Sequence, residues 1–267
     1  MHVVRGLDRL PSSDHPAFIV VGVFDGLHLG HQYLLAHLAA EAAARDARPL
    51  VVTFDHHPDE IITGSAPPLL CDPAERFERM AEAGVDTVVV VHFDQQLRET
   101  TYDAFVAQIA QRGPIAGFLM TPDAAFGFRR QGTPEALAEL GRGQGFGVVV
   151  VPPFELDGRP VRSTEVRAAI SNGDLDLASA LLGRLHTVVG EAGPATVGEG
   201  SQLRFGLPVA LPPDGRWVAQ VEAADGIVGV ETVAVQGGQV RLARPTLAGR
   251  TKVAFVRRAD GAEAAVA

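Results

Sequence analysis

The chain has 267 residues, of which 46% are hydrophobic, so it can bury a sizeable core in one large or two modest domains. Its formal net charge of −9 argues against a general nucleic-acid-binding surface, because such a surface needs an excess of basic residues. The single cysteine, Cys71, excludes an intrachain disulfide and is expected to be an ordinary buried thiol.

The beginning of the chain does not resemble a leader. Residues 1–10 contain no secretory apolar core, and no apolar run in the sequence approaches the length of a membrane span. We therefore expect a cytoplasmic protein without a membrane partner.

The first strong pattern is a strand, a glycine-rich turn and a helix. The apolar run Ala17–Val21 predicts a buried strand, and an Ala/Leu-rich stretch that ends near Arg45 predicts a helix. Residues 22–31 between them read Gly-Val-Phe-Asp-Gly-Leu-His-Leu-Gly-His. The start of a helix attracts anions, and His28 and His31 are spaced to lie together over that end. The pattern predicts a phosphate site.

Other interpretations of this turn have to be compared. Gly22, Gly26 and Gly30 allow unusual φ angles and close approach of a ligand, but glycine-rich turns also occur without one. A zinc site at the two histidines lacks a third ligand at helical spacing. The Gly-x-Gly-x-x-Gly fingerprint and the Walker A sequence are absent. The only lysine is Lys252, so any phosphate bound earlier in the chain needs arginine, histidine, a metal ion or a helix end.

Apolar strands alternate with helical segments as far as about residue 182. This pattern predicts an α/β fold whose parallel sheet is covered on both faces and binds ligands outside the carboxyl ends of its strands. The segments expected to converge there are 22–31, 55–57, 121–126 and 162–167. The further strands predicted are Leu50–Phe54, Thr87–Val91, Ile115–Met120 and a buried Gly147–Val151, and the further helices are Pro73–Ala83, Tyr102–Gln111 and Pro134–Leu140.

The pattern changes after Thr187, where glycine and proline become frequent and short β-rich segments follow. We predict a small antiparallel β domain with the form of a barrel over residues 186–267, after a first domain over residues 1–185. Residues 186–267 carry eight basic and eight acidic residues, so the excess of negative charge lies entirely in the first domain. The β segments are Trp217–Val221, Ile227–Val235, Gln239–Leu242 and Thr251–Val256.

Residues 22–31 also carry a resemblance to a known family. They are similar to the signature of the adenylyltransferase half of the bacterial riboflavin kinase/FAD synthetase family, within the His-x-Gly-His nucleotidyltransferase superfamily. Further similar segments follow in the family's order, over roughly residues 15–185. They are Thr53-Phe54-Asp55-His56-His57-Pro58, in which His56 replaces the usual proline; Asp123 with Phe126-Gly127; Arg162-Ser163-Thr164-Glu165-Val166-Arg167; and Leu181-Leu182-Gly183-Arg184.

The resemblance implies a Rossmann-like FMN adenylyltransferase, which moves AMP from ATP to FMN and releases pyrophosphate. It implies that His28 and His31 are catalytic and donate hydrogen bonds to the triphosphate. It also implies that Arg167 is catalytic and holds the outer phosphates. Mg²⁺ is expected on the ATP phosphates, with no direct protein ligand. The nucleotide-binding residues implied are Gly22, Val23, Phe24, Asp25, Gly26, Gly30, Ser163 and Thr164.

The acceptor side departs from the family's pattern. Residues 121–127 read Thr-Pro-Asp-Ala-Ala-Phe-Gly where family members have Gly-Glu-Asp-Phe-Arg-Phe-Gly, so a rigid proline and two alanines reshape the pocket. Arg162 replaces a serine and adds charge near the phosphates. FMN stays the first acceptor, and a different phosphorylated acceptor or nucleoside triphosphate is the alternative. The acceptor-binding residues implied are Phe54, His57, Pro58, Asp123 and Phe126.

The second domain lies where the family has its riboflavin kinase. The family's Gly-x-Pro-Thr-Ala-Asn motif corresponds to residues 206–211, which read Gly-Leu-Pro-Val-Ala-Leu. Val209 replaces a hydroxyl and Leu211 an amide, and an aliphatic side chain cannot coordinate magnesium. The printed sequence also lacks the Glu-x-His-Leu segment expected of the kinase. We expect a degenerate kinase domain, with an unrelated barrel as the alternative.

Several alternatives stay open. A flavin- or nucleotide-binding regulator is the alternative from outside the enzymes, although a regulator has no need of transition-state donors such as His28 and His31. Asp25 is either a ligand-shaping residue or an acceptor of backbone hydrogen bonds. Ser163 and Thr164 are either phosphate ligands or only an N-cap pair for the helix 165–170. Arg129 and Arg130 form either a phosphate clamp or an exposed pair. A metal site within residues 55–60 is disfavoured, because adjacent histidines of an extended segment point apart.

Overall fold

The computed structural model describes residues 1–193, 200–244 and 248–259. The chain forms two compact units, and each is described by itself. The first unit comprises residues 1–67 and 76–160, and the second comprises residues 68–75 together with the chain from residue 161 onward. Residues 161–185, which the sequence assigns to the first domain, thus belong to the same compact unit as the β-rich region. The boundary between residues 185 and 186 stays a prediction.

A six-stranded parallel sheet organises the first unit and confirms the predicted α/β class. The strand order is β1-β4-β3-β2-β5-β6. Its strands are β1 (His2–Arg5), β2 (Ala17–Val21), β3 (Arg48–Phe54), β4 (Thr87–Val91), β5 (Ile115–Met120) and β6 (Gly147–Val150), and a short hairpin follows, β7 (Glu155–Leu156) and β8 (Arg159–Pro160). The helices up to this point are α1 (Leu29–Ala44), α2 (Pro58–Ile62), α3 (Pro73–Glu82), α4 (Gln95–Glu99), α5 (Tyr102–Ala110) and α6 (Pro134–Gln144).

The continuous apolar strands are explained by two cores, one on each face of the sheet. In β2, Ile19 packs into one core while Phe18 and Val20 pack into the other. Side chains of a strand alternate between faces, so a strand covered on both sides needs no polar position. The prediction of a buried strand at residues 147–151 is wrong in part. β6 is the edge strand of the sheet, and Val150 is 47% exposed.

The sheet creates a point where the direction of strand addition reverses. From β2 the chain adds β3 and then β4 on one side, and β5 lies on the other side of β2. Ligands of open parallel sheets bind outside the carboxyl ends of the strands at such a point. The segments that follow β2, β3 and β5 therefore occupy the position at which a site is expected. None of the described helices is long and apolar enough to cross a membrane.

The second unit contains a closed six-stranded antiparallel barrel, as predicted. The order around the barrel is β10-β13-β12-β11-β14-β9. Inward residues of β11, such as Trp217 and Val221, fill the core, and Leu175 from the preceding helices joins them. The strands are β9 (His186–Ala192), β10 (Ser201–Arg204), β11 (Gly215–Glu222), β12 (Val228–Gln236), β13 (Gln239–Leu242) and β14 (Gly249–Arg258), and the helices are α7 (Ser163–Ser171) and α8 (Leu175–Leu182).

A buried histidine makes the stability of the barrel depend on pH. His186 is fully buried, its Nε2 atom lies 2.8 Å from the carbonyl oxygen of Ala210, and its ring stacks on Phe255. Burial lowers its pKa from 6.5 to about 4. The unfolded chain therefore binds the extra proton first, so the contribution of this histidine is complete above pH 6.5 and is lost as the pH falls toward 4.

We expect this loss to reach roughly 3 kcal/mol, since each pKa unit corresponds to about 1.4 kcal/mol. Denaturant unfolding at a series of pH values, followed by the fluorescence of Trp217, measures it, because Trp217 is the only tryptophan and lies in the barrel core. His186→Gln retains a hydrogen-bond donor and does not titrate. An identical acid dependence in this variant would contradict the prediction.

Candidate active site

The turn after β2 has a backbone that depends on its residue types. Phe24 and Leu27 adopt positive φ angles of 54° and 41°, and Gly26 has a φ of 78°. A positive φ is favourable for glycine and uncommon for other residues, so Gly26 suits its position whereas Phe24 and Leu27 are strained. A Cβ atom at Gly22 would lie 3.0 Å from the ring of Phe24. The chain thus turns tightly from the strand into α1.

The two histidines of the motif stack at the start of α1. His28 is the N-cap residue, and its Nδ1 atom accepts the backbone N–H of His31 at 3.3 Å. The two rings lie 3.7 Å apart at 19°, and His28 is only 3% exposed. Both imidazoles therefore lie over the positive end of a 16-residue helix. This arrangement can donate hydrogen bonds to an anion such as a phosphate.

The other motif residues take different positions around this pair. Phe24 and Asp25 are buried, and the ring of Phe24 packs into the core of the first unit. Contact of Phe24 with a nucleotide would therefore use its backbone. Val23 is half-buried, and Gly30 is the second residue of α1.

Arg76 ties two loops of the site together and was not predicted from the sequence. Its Nη1 atom donates to the carbonyl oxygen of Val23 at 3.1 Å, and its Nη2 atom donates to that of Phe54 at 3.2 Å. The hydroxyl of Thr53 donates to the same Val23 oxygen at 3.1 Å. One guanidinium thus fixes the end of β3 against the turn after β2. Nothing in the sequence around Arg76 distinguishes it from a surface arginine of an amphipathic helix.

Arg76→Met is expected to lower the free energy of unfolding by about 3 kcal/mol, because it removes two charge-assisted hydrogen bonds from carbonyl groups. It should also raise the KM values for nucleotide and acceptor, since both loops lose a shared anchor. The free energy of unfolding and the KM values of Arg76→Lys should lie between those of the wild type and of Arg76→Met, because an ammonium group does not have the planar fork of donors that a guanidinium has. The control is Arg142→Met, where an exposed arginine pairs with exposed Glu139. Equal effects at Arg76 and Arg142 would contradict this role.

The proposed acceptor loop follows β3. The ring of Phe54 meets Phe93 edge-on at 5.3 Å. His57 is the N-cap residue of α2, with its Nδ1 atom accepting the N–H of Asp59 at 3.2 Å, and Pro58 occupies the first turn. His57 and Pro58 therefore have a local structural role, and binding of an acceptor stays a prediction for them.

The segment after β5 carries the remaining acceptor residues. The hydroxyl of Thr121 donates to Asp123 at 2.9 Å, and Arg130 donates to the carbonyl oxygen of Asp123 at 3.0 Å. Phe126 packs against Phe105, with ring centroids 5.6 Å apart. Arg129 is exposed and lies over the ring of its neighbour Phe128. This segment follows the carboxyl end of β5, the strand that pairs with β2. The sequence predicted ligand binding outside the carboxyl ends of these strands.

A cluster of polar side chains joins the ends of β3 and β4. The Nδ1 atom of His92 lies 2.7 Å from Asp55, and that of His56 lies 3.3 Å from Asp55. Partial burial raises the pKa of Asp55, but hydrogen bonds from His92 and from the backbone of Phe93 outweigh it, so this pKa lies below its ordinary value. The hydrogen bond to Asp55 raises the pKa of His92.

The segment that contains Ser163, Thr164 and Arg167 belongs to the second unit. α7 begins at Ser163 with Arg162 as its N-cap residue, so Ser163 and Thr164 stand in the first turn rather than forming an N-cap pair. The Nε atom of Arg167 donates to the carbonyl oxygen of Pro68 at 2.8 Å. The roles of Arg167, Ser163 and Thr164 toward phosphates stay predictions.

The segment that corresponds to the kinase motif is held by neighbouring backbone. Leu69 donates its N–H to the carbonyl oxygen of Pro208 and accepts the N–H of Ala210, both at 2.9 Å. Val209 and Leu211 pack against the barrel core. A cavity of about 170 Å³ lies beside this segment. Its lining is mostly apolar and comprises Leu69, Cys71, Asp72, Pro73, Thr187, Val188, Val189, Phe205, Gly206, Leu207 and Val209. Cys71 is buried, as predicted.

Comparison with known proteins assigns the family. The FAD synthetase family model matches residues 10–165. A bifunctional riboflavin kinase/FMN adenylyltransferase from Pseudomonas fluorescens is 32% identical over 262 residues, which cover 94% of this chain and 81% of the relative. The protein of the same description from Escherichia coli K12 is 31% identical over 256 residues, which cover 93% and 80%.

A solved structure shows the same fold. It is described as a macrolide-efflux protein from Streptococcus pneumoniae, and it superposes with a TM-score of 0.80, covering 97% of this chain and 90% of its own at 23% identity. At that identity the likeness concerns the fold alone. With the family match and the relatives above, the chain belongs to the FAD synthetase family, in the group of bifunctional riboflavin kinase/FMN adenylyltransferases.

Proposed function

We propose that the protein is an FMN adenylyltransferase, which transfers AMP from ATP to FMN and releases pyrophosphate. The observation that carries this proposal is the stacked pair His28 and His31 at the N-terminus of α1, inside the segment that matches the FAD synthetase family. The relatives named as FMN adenylyltransferases support the same reaction.

The reaction requires alignment and charge stabilisation rather than a covalent intermediate. A phosphate oxygen of the acceptor attacks the α-phosphorus of ATP, the new P–O bond forms, and the bond to the leaving pyrophosphate breaks. Negative charge builds on the leaving oxygen, and the imidazoles of His28 and His31 donate hydrogen bonds to it. A preorganised donor of this kind typically contributes a hundredfold or more in rate. The free N–H groups of α1 add to the same field.

Mg²⁺ fits the proposal as a partner of the ATP phosphates. The turn and the start of α1 offer N–H groups and imidazoles, which bind phosphate oxygens, whereas Mg²⁺ prefers oxygen ligands and keeps several waters. The ion would therefore take its ligands from the triphosphate and from water, and it would neutralise charge there. Arg167, Ser163 and Thr164 are proposed to hold the outer phosphates, in line with the motif they resemble.

FMN is the proposed acceptor. Phe54, which is partly exposed, ends β3, and the segment with Asp123 and Phe126 follows β5; these two strands lie on either side of β2. An apolar ring face and a polar group nearby suit a flat, phosphorylated heterocycle. The alternative acceptors are other phosphate esters, because Pro122 and two alanines change this segment relative to the motif.

The experiment is a comparison of acceptors by pyrophosphate release with Mg-ATP. We expect kcat/KM for FMN to exceed that for simple phosphate monoesters and for sugar phosphates, and we expect ATP to be preferred over GTP and CTP. Higher kcat/KM with another ester, or with another nucleotide, would overturn FMN adenylylation in favour of a related nucleotidyltransferase. Tight binding of ATP without pyrophosphate release from any acceptor would favour a nucleotide-binding regulator.

We also propose that the barrel has lost riboflavin kinase activity. The observation that favours loss is the pair Val209 and Leu211, which contact the barrel core in place of groups that could bind a metal ion or a flavin. The cavity of about 170 Å³ beside them is smaller than the ≈ 300–1,000 Å³ typical of small-molecule sites. The barrel then serves as a structural or regulatory module.

A further inference from the structure

The cluster of Asp55, His56 and His92 brings three metal-ligating groups to one point of the first unit. One ligand atom from each residue can be chosen so that all three lie within 4.8 Å of one another. The rings of His56 and His92 are 5.7 Å apart and nearly perpendicular. All three residues are exposed, so an ion can reach them directly from solvent.

We propose that Asp55, His56 and His92 bind a divalent transition-metal ion with affinity for imidazole, such as Zn²⁺. Tetrahedral zinc with bonds of roughly 2.0–2.2 Å separates its ligand atoms by about 3.4 Å. The Nδ1 atom of His56 lies 3.3 Å from Oδ1 of Asp55, close to that value. The Nδ1 atom of His92 lies 2.7 Å from Oδ2 of the same carboxylate, so an ion bound between them would move this ring outward. Small side-chain rotations complete the geometry, and water fills the remaining position.

The carboxylate at the centre of the cluster is already oriented. Its Oδ1 atom accepts the backbone N–H groups of His56 at 2.8 Å and Phe93 at 3.1 Å. Its Oδ2 atom faces His92. Two backbone donors therefore hold Asp55 between the two imidazoles without help from an ion. Orientation of a ligand by hydrogen bonds is a regular property of metal sites in proteins.

Ligand type selects the metal. Two imidazole nitrogens and one carboxylate oxygen suit Zn²⁺ and its neighbours among the transition metals, whereas Mg²⁺ prefers an all-oxygen set. The site is therefore separate in chemistry from the Mg²⁺ that accompanies ATP. It also depends on this chain's own sequence, since His56 stands where the resembling motif has proline. The ion would fix the loop between Phe54 and His57, next to the proposed acceptor residues.

The experiment is calorimetric titration of the purified full-length protein with Zn²⁺ alone, together with the absorption spectrum of the Co²⁺ form. We expect one ion per chain, and we expect the affinity to fall at least tenfold in His92→Ala and in His56→Ala. The matched control is His15→Ala, because His15 faces a single carboxylate, Asp46, on the surface of the same unit. This variant should bind as the wild type does.

Two results would overturn the proposal. One is the absence of stoichiometric Zn²⁺ binding by the wild-type protein. The other is binding that persists unchanged in both His56→Ala and His92→Ala, since the ion would then lie elsewhere. Circular dichroism establishes that the variants are folded, and Asp55→Asn provides a third variant that keeps the size of the side chain and should also weaken binding.

Discussion

Replacement of His28 by asparagine is expected to lower kcat for adenylyl transfer by about a hundredfold or more, with a much smaller change in ATP affinity. The imidazole of His28 has two separable roles. Its Nδ1 atom caps α1 by accepting the N–H of His31, and its ring stacks on that of His31, where the phosphate is proposed to bind. Asparagine is a favourable N-cap residue and keeps the first role, but it removes the imidazole.

A second substitution separates stability from chemistry. His28→Ala loses the cap as well as the imidazole, so it should have the same low kcat and, in addition, a free energy of unfolding about 1 kcal/mol lower. Steady-state kinetics and ATP titration measure the first effect, and denaturant unfolding measures the second. Wild-type kcat in a folded His28→Asn variant would show that the histidine is only a helix cap.

Riboflavin and Mg-ATP are expected to give no detectable FMN with this protein. Phosphoryl transfer depends on a metal ion and on groups that position the phosphates. At the segment that corresponds to the kinase motif, Val209 and Leu211 present aliphatic side chains that pack on the barrel core. The backbone on either side of Val209, at Pro208 and Ala210, is paired with Leu69. An aliphatic side chain cannot coordinate a metal ion, and this replacement is the basis of the expectation.

The control for this result is the conversion of FMN to FAD by the same preparation, which establishes that the protein is folded and active. Chromatography separates riboflavin, FMN and FAD in one run. Formation of FMN from riboflavin at a rate comparable to that of FAD formation would contradict the loss of kinase activity. The barrel would then use residues other than those of its motif.

The sequence predicted the central strands well because burial on both faces leaves a simple pattern. The bounds of β2, β4 and β5 agree with the predicted runs, since each is a largely apolar segment bounded by polar residues, glycine or proline. β1 was not predicted, because it has four residues and Val3 in it is 42% exposed, so no apolar run marks it. It is recognised only through its pairing with β4.

Helix ends were harder to predict where glycine has a packing role. The helix predicted to end at Leu140 continues to Gln144, through Gly141 and Gly143. A Cβ atom at Gly141 would lie 2.3 Å from the carbonyl oxygen of Phe146, so this glycine permits close packing rather than ending the helix. The helix stops at Gly145, which adopts the left-handed conformation.

In the candidate site, residues within one continuous segment were predicted from the sequence, whereas residues that act through contacts distant in the chain were not. The turn with His28 and His31 is one continuous segment, so its sequence predicted a helix start with two imidazoles. Arg76 and His92 act through contacts with residues far away in the chain, and no spacing rule connects them to these partners. The metal interpretation of residues 55–60 was disfavoured because adjacent histidines of an extended segment point apart. The structure brings His92, the residue after β4, to Asp55 and His56 instead.

The most direct test of the proposed activity is to incubate the wild-type protein with FMN and Mg-ATP and to quantify FAD and pyrophosphate. We predict that FAD and pyrophosphate form in equal amounts and that both require FMN. Tight binding of ATP without formation of either product would contradict the assignment of the stacked histidines to adenylyl transfer onto FMN.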